Sequence, residues 1–215
     1  MNPEDFVTLG GTNCKINKFD FEEFSRKIEG LFSEKTMRLG LEPAGLYVIF
    51  PSYSVSQADF SSGYSTFVSI CYEHLLDVAK RIKRPLIEVN PIKMQPELEG
   101  MIHRVLSSEK STIISLREIE HDLFIKLLTR LYERFTLAEE LMNIFDSVIV
   151  YVPHLGLWVS NDDLLSMLRS FIKEYVRHKR KALVIAVTAG REELAKLNLS
   201  YERIGCIPTV TEVKT

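Results

Sequence analysis

Four short runs in this chain are apolar at nearly every position and rich in β-branched residues: 45–50 (Gly-Leu-Tyr-Val-Ile-Phe), 85–90 (Pro-Leu-Ile-Glu-Val-Asn), 147–152 (Ser-Val-Ile-Val-Tyr-Val) and 182–188 (Ala-Leu-Val-Ile-Ala-Val-Thr). A strand with one wet face alternates apolar and polar residues, so a run without alternation has to be covered on both faces. Strands of this kind need helices above and below them, which predicts a three-layer α/β fold around a mainly parallel sheet. A weaker run, 111–115, reads as a fifth, short strand.

The segments between these runs carry helix signals. Asp20 and Glu23, Ser115 and Glu118, and Thr136 and Glu139 each have the spacing of a capping box, which predicts helices opening near 21, 116 and 137. Asn161, Asp162 and Asp163 at one end and the basic run 177–181 at the other suit the two poles of a helix dipole, so a helix is expected over about 161–179. A further helix is expected after the first strand, with Phe67, Ile70, Cys71, His74, Leu75 and Val78 on or near one face. A helix over 95–107 completes the pattern. Residues 117–145 carry a helical stripe that includes Leu127, Leu131 and Phe135, widened by Leu128, Tyr132 and Leu137 into a face able to hold a partner as well as the sheet.

At 215 residues the chain suits one domain: a helical N-terminal segment over 1–40 and a core over 41–215. A net charge of -2 gives no general support for nucleic-acid binding, and the basic runs 80–84 and 177–181 fall at helix ends where cations are locally favoured. Three scattered cysteines form neither a disulfide framework nor a metal-binding pair, and no apolar stretch is long enough for a membrane span, so a cytoplasmic location is expected. Cys71 and His74, three apart on a helix face, lack the second pair that a metal site requires and read as core residues.

In an open parallel sheet, ligands bind where loops leave the carboxyl ends of the strands. Here those loops are 51–66, 90–96, 153–162 and 188–193. Residues 58–65 read Ala-Asp-Phe-Ser-Ser-Gly-Tyr-Ser, against the phosphate-loop pattern G-x-x-x-x-G-K-[ST]. Gly63 and Ser65 match, Ala58 replaces the first glycine, and Tyr64 stands where a lysine would neutralise phosphate. With Thr66 these residues form a vestigial phosphate loop, or an ordinary polar connector that matches by chance.

Residues 40–50 (Gly-Leu-Glu-Pro-Ala-Gly-Leu-Tyr-Val-Ile-Phe), together with the order of elements over roughly 41–190, resemble the core of the RecA/RadA/KaiC-like ATPases. The resemblance implies a RecA-like sheet, with the 147–152 strand between the first strand and the 85–90 strand. It also implies an acid at the end of 147–152, where this chain has none, and a glutamate after the second strand, where it reads Asn-Pro-Ile-Lys. The expectation is a non-catalytic paralogue without a resident cofactor, holding at most a nucleotide or anion weakly at a helix start near 63–66. Such a chain would act as a binding or regulatory subunit, in recombination, repair or signalling, through self-association or in contact with an active paralogue, another protein or DNA, the last without support from the net charge.

Its contact surface is expected at His154, Leu155, Leu157 and Trp158, because tryptophan dominates many interfaces. The alternative is a small-molecule enzyme of another doubly wound family, using Ser52, Tyr53, Ser65, His154 and Asp162 in the loops 51–66 and 153–162.

Overall fold

A computed structural model describes residues 6–9, 12–16, 21–33, 43–49, 57–94, 121–188, 191–199, 202–204 and 210–212, with side chains at 21–33, 43–49, 67–94, 121–188, 193 and 195–199. In chain order the elements are β1 (Phe6–Leu9), β2 (Thr12–Ile16), α1 (Phe21–Leu31), β3 (Gly45–Ile49), α2 (Gln57–Ile82), β4 (Leu86–Glu88) and the single turn α3 (Pro91–Met94). Then follow α4 (His121–Met142), β5 (Val148–Val152), α5 (Leu155–Val159), α6 (Asp162–Phe171), β6 (Ala182–Val187), α7 (Arg191–Leu197), β7 (Glu202–Ile204) and β8 (Val210–Glu212). The helix of α6 continues over Ile172–His178 with wider, π-type turns. Among the described residues no helix is long and apolar enough to cross a membrane.

The main sheet has the order β4-β5-β6-β3-β7 and every pairing in it is parallel. All residues of β5 and β6 are buried, as their unbroken apolar runs require. The 148–152 strand lies between β3 and β4 as expected, and β6 is inserted directly beside β3. The connection from β3 to β4 crosses the sheet in one direction, whereas those from β4 through β5 and β6 to β7 run back in the other. Right-handed crossovers then place α2 on one face and α4, α6 and α7 on the opposite face. Packing agrees: α1 lies on α2, α4 on α6, and α5 on both α6 and α7. Phe135 of α4 touches Trp158 of α5 and Phe171 of α6 through ring centroids 5.9 and 4.5 Å apart.

Several expectations need correction. The N-terminal segment is only partly helical: α1 opens at 21 as expected, but β1 and β2 pair antiparallel and β8 joins them in a small second sheet. The helix start near 137 is absent. Leu127, Leu131, Phe135, Ala138 and Met142 keep one face buried without a break, so tertiary burial overrides the local capping signal of Thr136. The loop 90–96 begins instead as α3, and β7, not expected from the sequence, closes the far edge. The 111–115 strand, the 95–107 helix and the start near 116 lie outside the described residues.

At α6 the expectation holds closely: Asn161 caps the helix, its Oδ1 accepting from the backbone N–H of Asp163 at 2.8 Å and of Leu164 at 3.2 Å.

One buried hydrogen bond ties the central sheet to α2. The Tyr151 hydroxyl donates to the Val68 carbonyl at 2.8 Å, and its ring sits 5.9 Å from that of Tyr72. Replacing Tyr151 by Phe removes the donor but leaves the ring and an otherwise helix-bonded carbonyl. Denaturant titration is expected to show a loss of about 1 kcal/mol with an unchanged slope; no loss would mean that the bond adds nothing to stability.

Candidate functional site

The sheet brings together the carboxyl ends of β4, β5, β6 and β3, and the direction of the connections reverses between β3 and β6. This reversal opens a crevice at the carboxyl edge in folds of this class. Buried polar residues concentrate there: Asn90 follows β4, His154 follows β5, Thr188 follows β6, and Glu193 lies in the first turn of α7.

Beside the crevice, the chain's own groups are bound to one another. The Thr188 backbone N–H donates to the Ile49 carbonyl at 3.1 Å, extending the β6–β3 pairing by one residue. The Thr188 hydroxyl donates to Glu193 Oε2 at 2.6 Å with both residues buried, which supplies part of the hydrogen bonding that a carboxylate removed from water requires. Gly156 of α5 lies against the same carboxylate, so that a Cβ there would stand 2.5 Å from Oε1. The exits of β5 and β6 are thereby locked together.

At the β4 end, Glu88 accepts from Asn90 Nδ2 at 2.9 Å and from Lys93 Nζ at 2.7 Å, while Lys93 also lies 4.7 Å from the Tyr72 ring centre. The Asn90 side-chain oxygen accepts from the Ile92 N–H and starts α3. Sequence reading missed both Glu88 and Glu193. Glu88 sat inside an apolar run and read as strand, and the five-residue step from Thr188 to Glu193 matches no catalytic spacing.

The residues singled out from sequence are placed differently from expectation. Helix α2 begins at Gln57, so Ala58, Gly63, Tyr64, Ser65 and Thr66 lie within it, and their side chains are outside the described residues. Only the first four backbone N–H groups of a helix are free, so the donors at 63–66 serve the helix itself and cannot wrap a phosphate. Ser52 and Tyr53 lie outside the described residues.

The exit of β5 is also not the expected contact loop. His154 turns the chain with φ 54° and ψ 52°, a left-handed conformation that costs a non-glycine residue energy, and α5 then enters the core. Leu155 and Trp158 are 0% exposed and Leu157 1%, so the proposed partner surface is core. Among the described residues the Trp158 indole N–H has no hydrogen-bond partner, which fits a ring buried for its apolar area. Asp162 is exposed at the start of α6 and does not join the buried groups.

Cys71 is fully buried, which pushes its thiol well above the usual range, and the His74 ring stacks on Phe21 at 4.6 Å. No group of three or more His, Cys, Asp or Glu among the described residues is placed to hold a metal.

No family model matches the chain, and no curated protein matches it by sequence. Among solved structures it is similar to a Walker-type ATPase of Pyrococcus abyssi, at 16% identity and a TM-score of 0.40, over 90% of this chain and 54% of that one. The chain thus spans about half the length of the structure it matches. Identity this low carries over no residue role.

Two outcomes follow from the locked edge. Gly156→Ala forces its methyl against a carboxylate held by Thr188, and should cost about 1–3 kcal/mol. The cost should shrink in a Thr188→Val background, where Glu193 loses the Thr188 hydroxyl, so a double-mutant cycle is expected to be non-additive; strict additivity would separate the two residues. Trp158→Ala empties a core position and should cost about 3–5 kcal/mol by denaturant titration. Loss of self-association with stability retained would contradict this and return Trp158 to an interface.

Proposed function

We propose that this chain is a non-catalytic relative of the RecA-like ATPases and works as a binding or regulatory subunit in contact with a protein partner. The observation that carries this reading is the exit of β5. In-line phosphoryl transfer needs an acid near such a strand end to direct a metal or a water. Here Val152, Pro153 and His154 are all buried, and the chain passes directly into an apolar helix.

Further support comes from the groups beside that exit. Glu193, the buried carboxylate there, is engaged by Thr188 and crowded by Gly156. Glu88 is bonded to Lys93 and Asn90. A general base has to reach the proton that it removes, and both carboxylates are turned to internal partners. The helical start of α2 at Gln57 removes the loop geometry that would cradle phosphates at 63–66.

The purified chain should therefore show no magnesium-dependent ATP hydrolysis above a buffer blank in a phosphate-release assay. Tyr64→Lys should not create it, since the β5 exit would still lack an acid. Turnover of ordinary ATPase size that disappears on changing Ser65 would overturn the reading.

A further inference from the structure

Outside the carboxyl edge, Arg169, Lys173 and Arg177 line one open groove of about 380 Å3 between the α6 helix and the segment after α7. Leu165 and Leu199 give it apolar walls, and Asp162 stands at the end where α6 begins.

The spacing of these cations depends on the π-type turns. Four residues of an α-helix rotate by about 400°, so side chains four apart drift by about 40° per step and two steps would carry the third out of line. Over Ile172–His178 the turns are wider, as in the bond from the Lys179 N–H to the Glu174 carbonyl at 2.8 Å. More residues per turn reverse the drift, which keeps Arg177 on the same groove as Arg169 and Lys173.

Among the described residues, these cations also have no carboxylate paired with them. Arg169 donates from Nε to the Leu197 carbonyl at 3.0 Å and from Nη2 to the Lys196 carbonyl at 2.6 Å. Both acceptors are neutral, so the guanidinium is held rigidly, and its Nη1 donors take no part in those bonds. Among the described residues neither Lys173 nor Arg177 joins an ion pair. Their neighbours differ: Glu174 holds His178 at 3.5 Å and Lys179 at 3.1 Å, away from the groove.

We propose that this groove docks an acidic, amphipathic helical segment of a partner protein. Carboxylates at positions i, i+4 and i+7 of such a segment stay on one stripe and advance along it by about 6 and then about 4.5 Å, a short row to set against the three cations. Aliphatic side chains beside them meet Leu165 and Leu199, and a basic residue at one end meets Asp162. A nucleic-acid strand suits the groove less well: its lining among the described residues has no aromatic ring for bases to stack on, and Asp162 repels phosphate. The proposal rests on the binding role argued above in taking a protein as the partner.

The test uses a fluorescein-labelled peptide of three to four helical turns with Glu at positions i, i+4 and i+7 and Leu on the adjoining stripe, titrated into the full chain at low and moderate salt. Saturable binding is expected, weakened at least tenfold by the double change Lys173→Gln and Arg177→Gln and weakened by salt. The charge-matched double change Lys126→Gln and Arg134→Gln, on exposed positions of α4, should leave it intact.

No binding at low salt, equal binding of the Gln-for-Glu peptide, or equal loss in both double variants overturns the proposal. So does tighter, Lys173- and Arg177-dependent binding of a single-stranded oligonucleotide of equal charge. ATP turnover would overturn the non-catalytic reading without touching the peptide result, and a failed peptide titration would leave that reading standing.

Discussion

Strands β5 and β6 lie side by side with every residue from Val148 to Val152 and from Ala182 to Val187 buried, and this double burial dictates most of the remaining architecture. Their side chains point alternately to the two faces, so each face needs its own apolar cover. On one side α2 supplies it, fixed by the bond from Tyr151 to Val68. On the other, α4, α5 and α6 meet around Phe135, Trp158 and Phe171. Burying Trp158 requires the chain to turn inward at once after β5, and the left-handed His154 is the local cost of that turn.

The same inward turn shapes what the carboxyl edge can do. With α5 in the core, Gly156 reaches Glu193, and Glu193 in turn reaches Thr188 at the end of β6. Polar groups that would serve a ligand in a more open crevice here satisfy one another. The outer face of α6, with its aligned cations, is then the chemically distinctive surface among the described residues.

The sheet was legible in the sequence because doubly buried strands announce themselves as unbroken β-branched runs, and all four runs became parallel strands. Helix α6 was legible from its acidic start and basic end. By contrast β7, reading Glu-Arg-Ile, is a three-residue edge strand with no apolar run to reveal it. At Thr136 the capping signal lost to the continuous burial of α4, because local propensity is worth less than an uninterrupted packed face.

The candidate site was less legible. The five residues of α5 are too few to show a helical period, so their apolar character resembled an exposed patch. Glu193 carries no spacing signal and owes its position to Gly156 and Thr188, which the sequence holds far apart in one case and across a turn in the other. The serine-rich stretch before 66 resembled a loop, although its backbone is helical from Gln57.

The strand order also bears on how the chain can be synthesised. Strand β3 is made before any other strand of the main sheet, yet both of its neighbours come late: Gly45 pairs with Leu183 and Ile49 with Val187, and on the other side Tyr47 pairs with Glu202. Strands β4 and β5 can pair with each other sooner, with no help from β3. At ordinary ribosomal speeds, β3 therefore waits on the order of 10 s with two open edges and an apolar surface. During that interval its protection falls to α1 and α2, the helices made around it, or to a chaperone, and the nascent chain is most exposed to mispairing at the strand that finally sits beside the centre of the sheet.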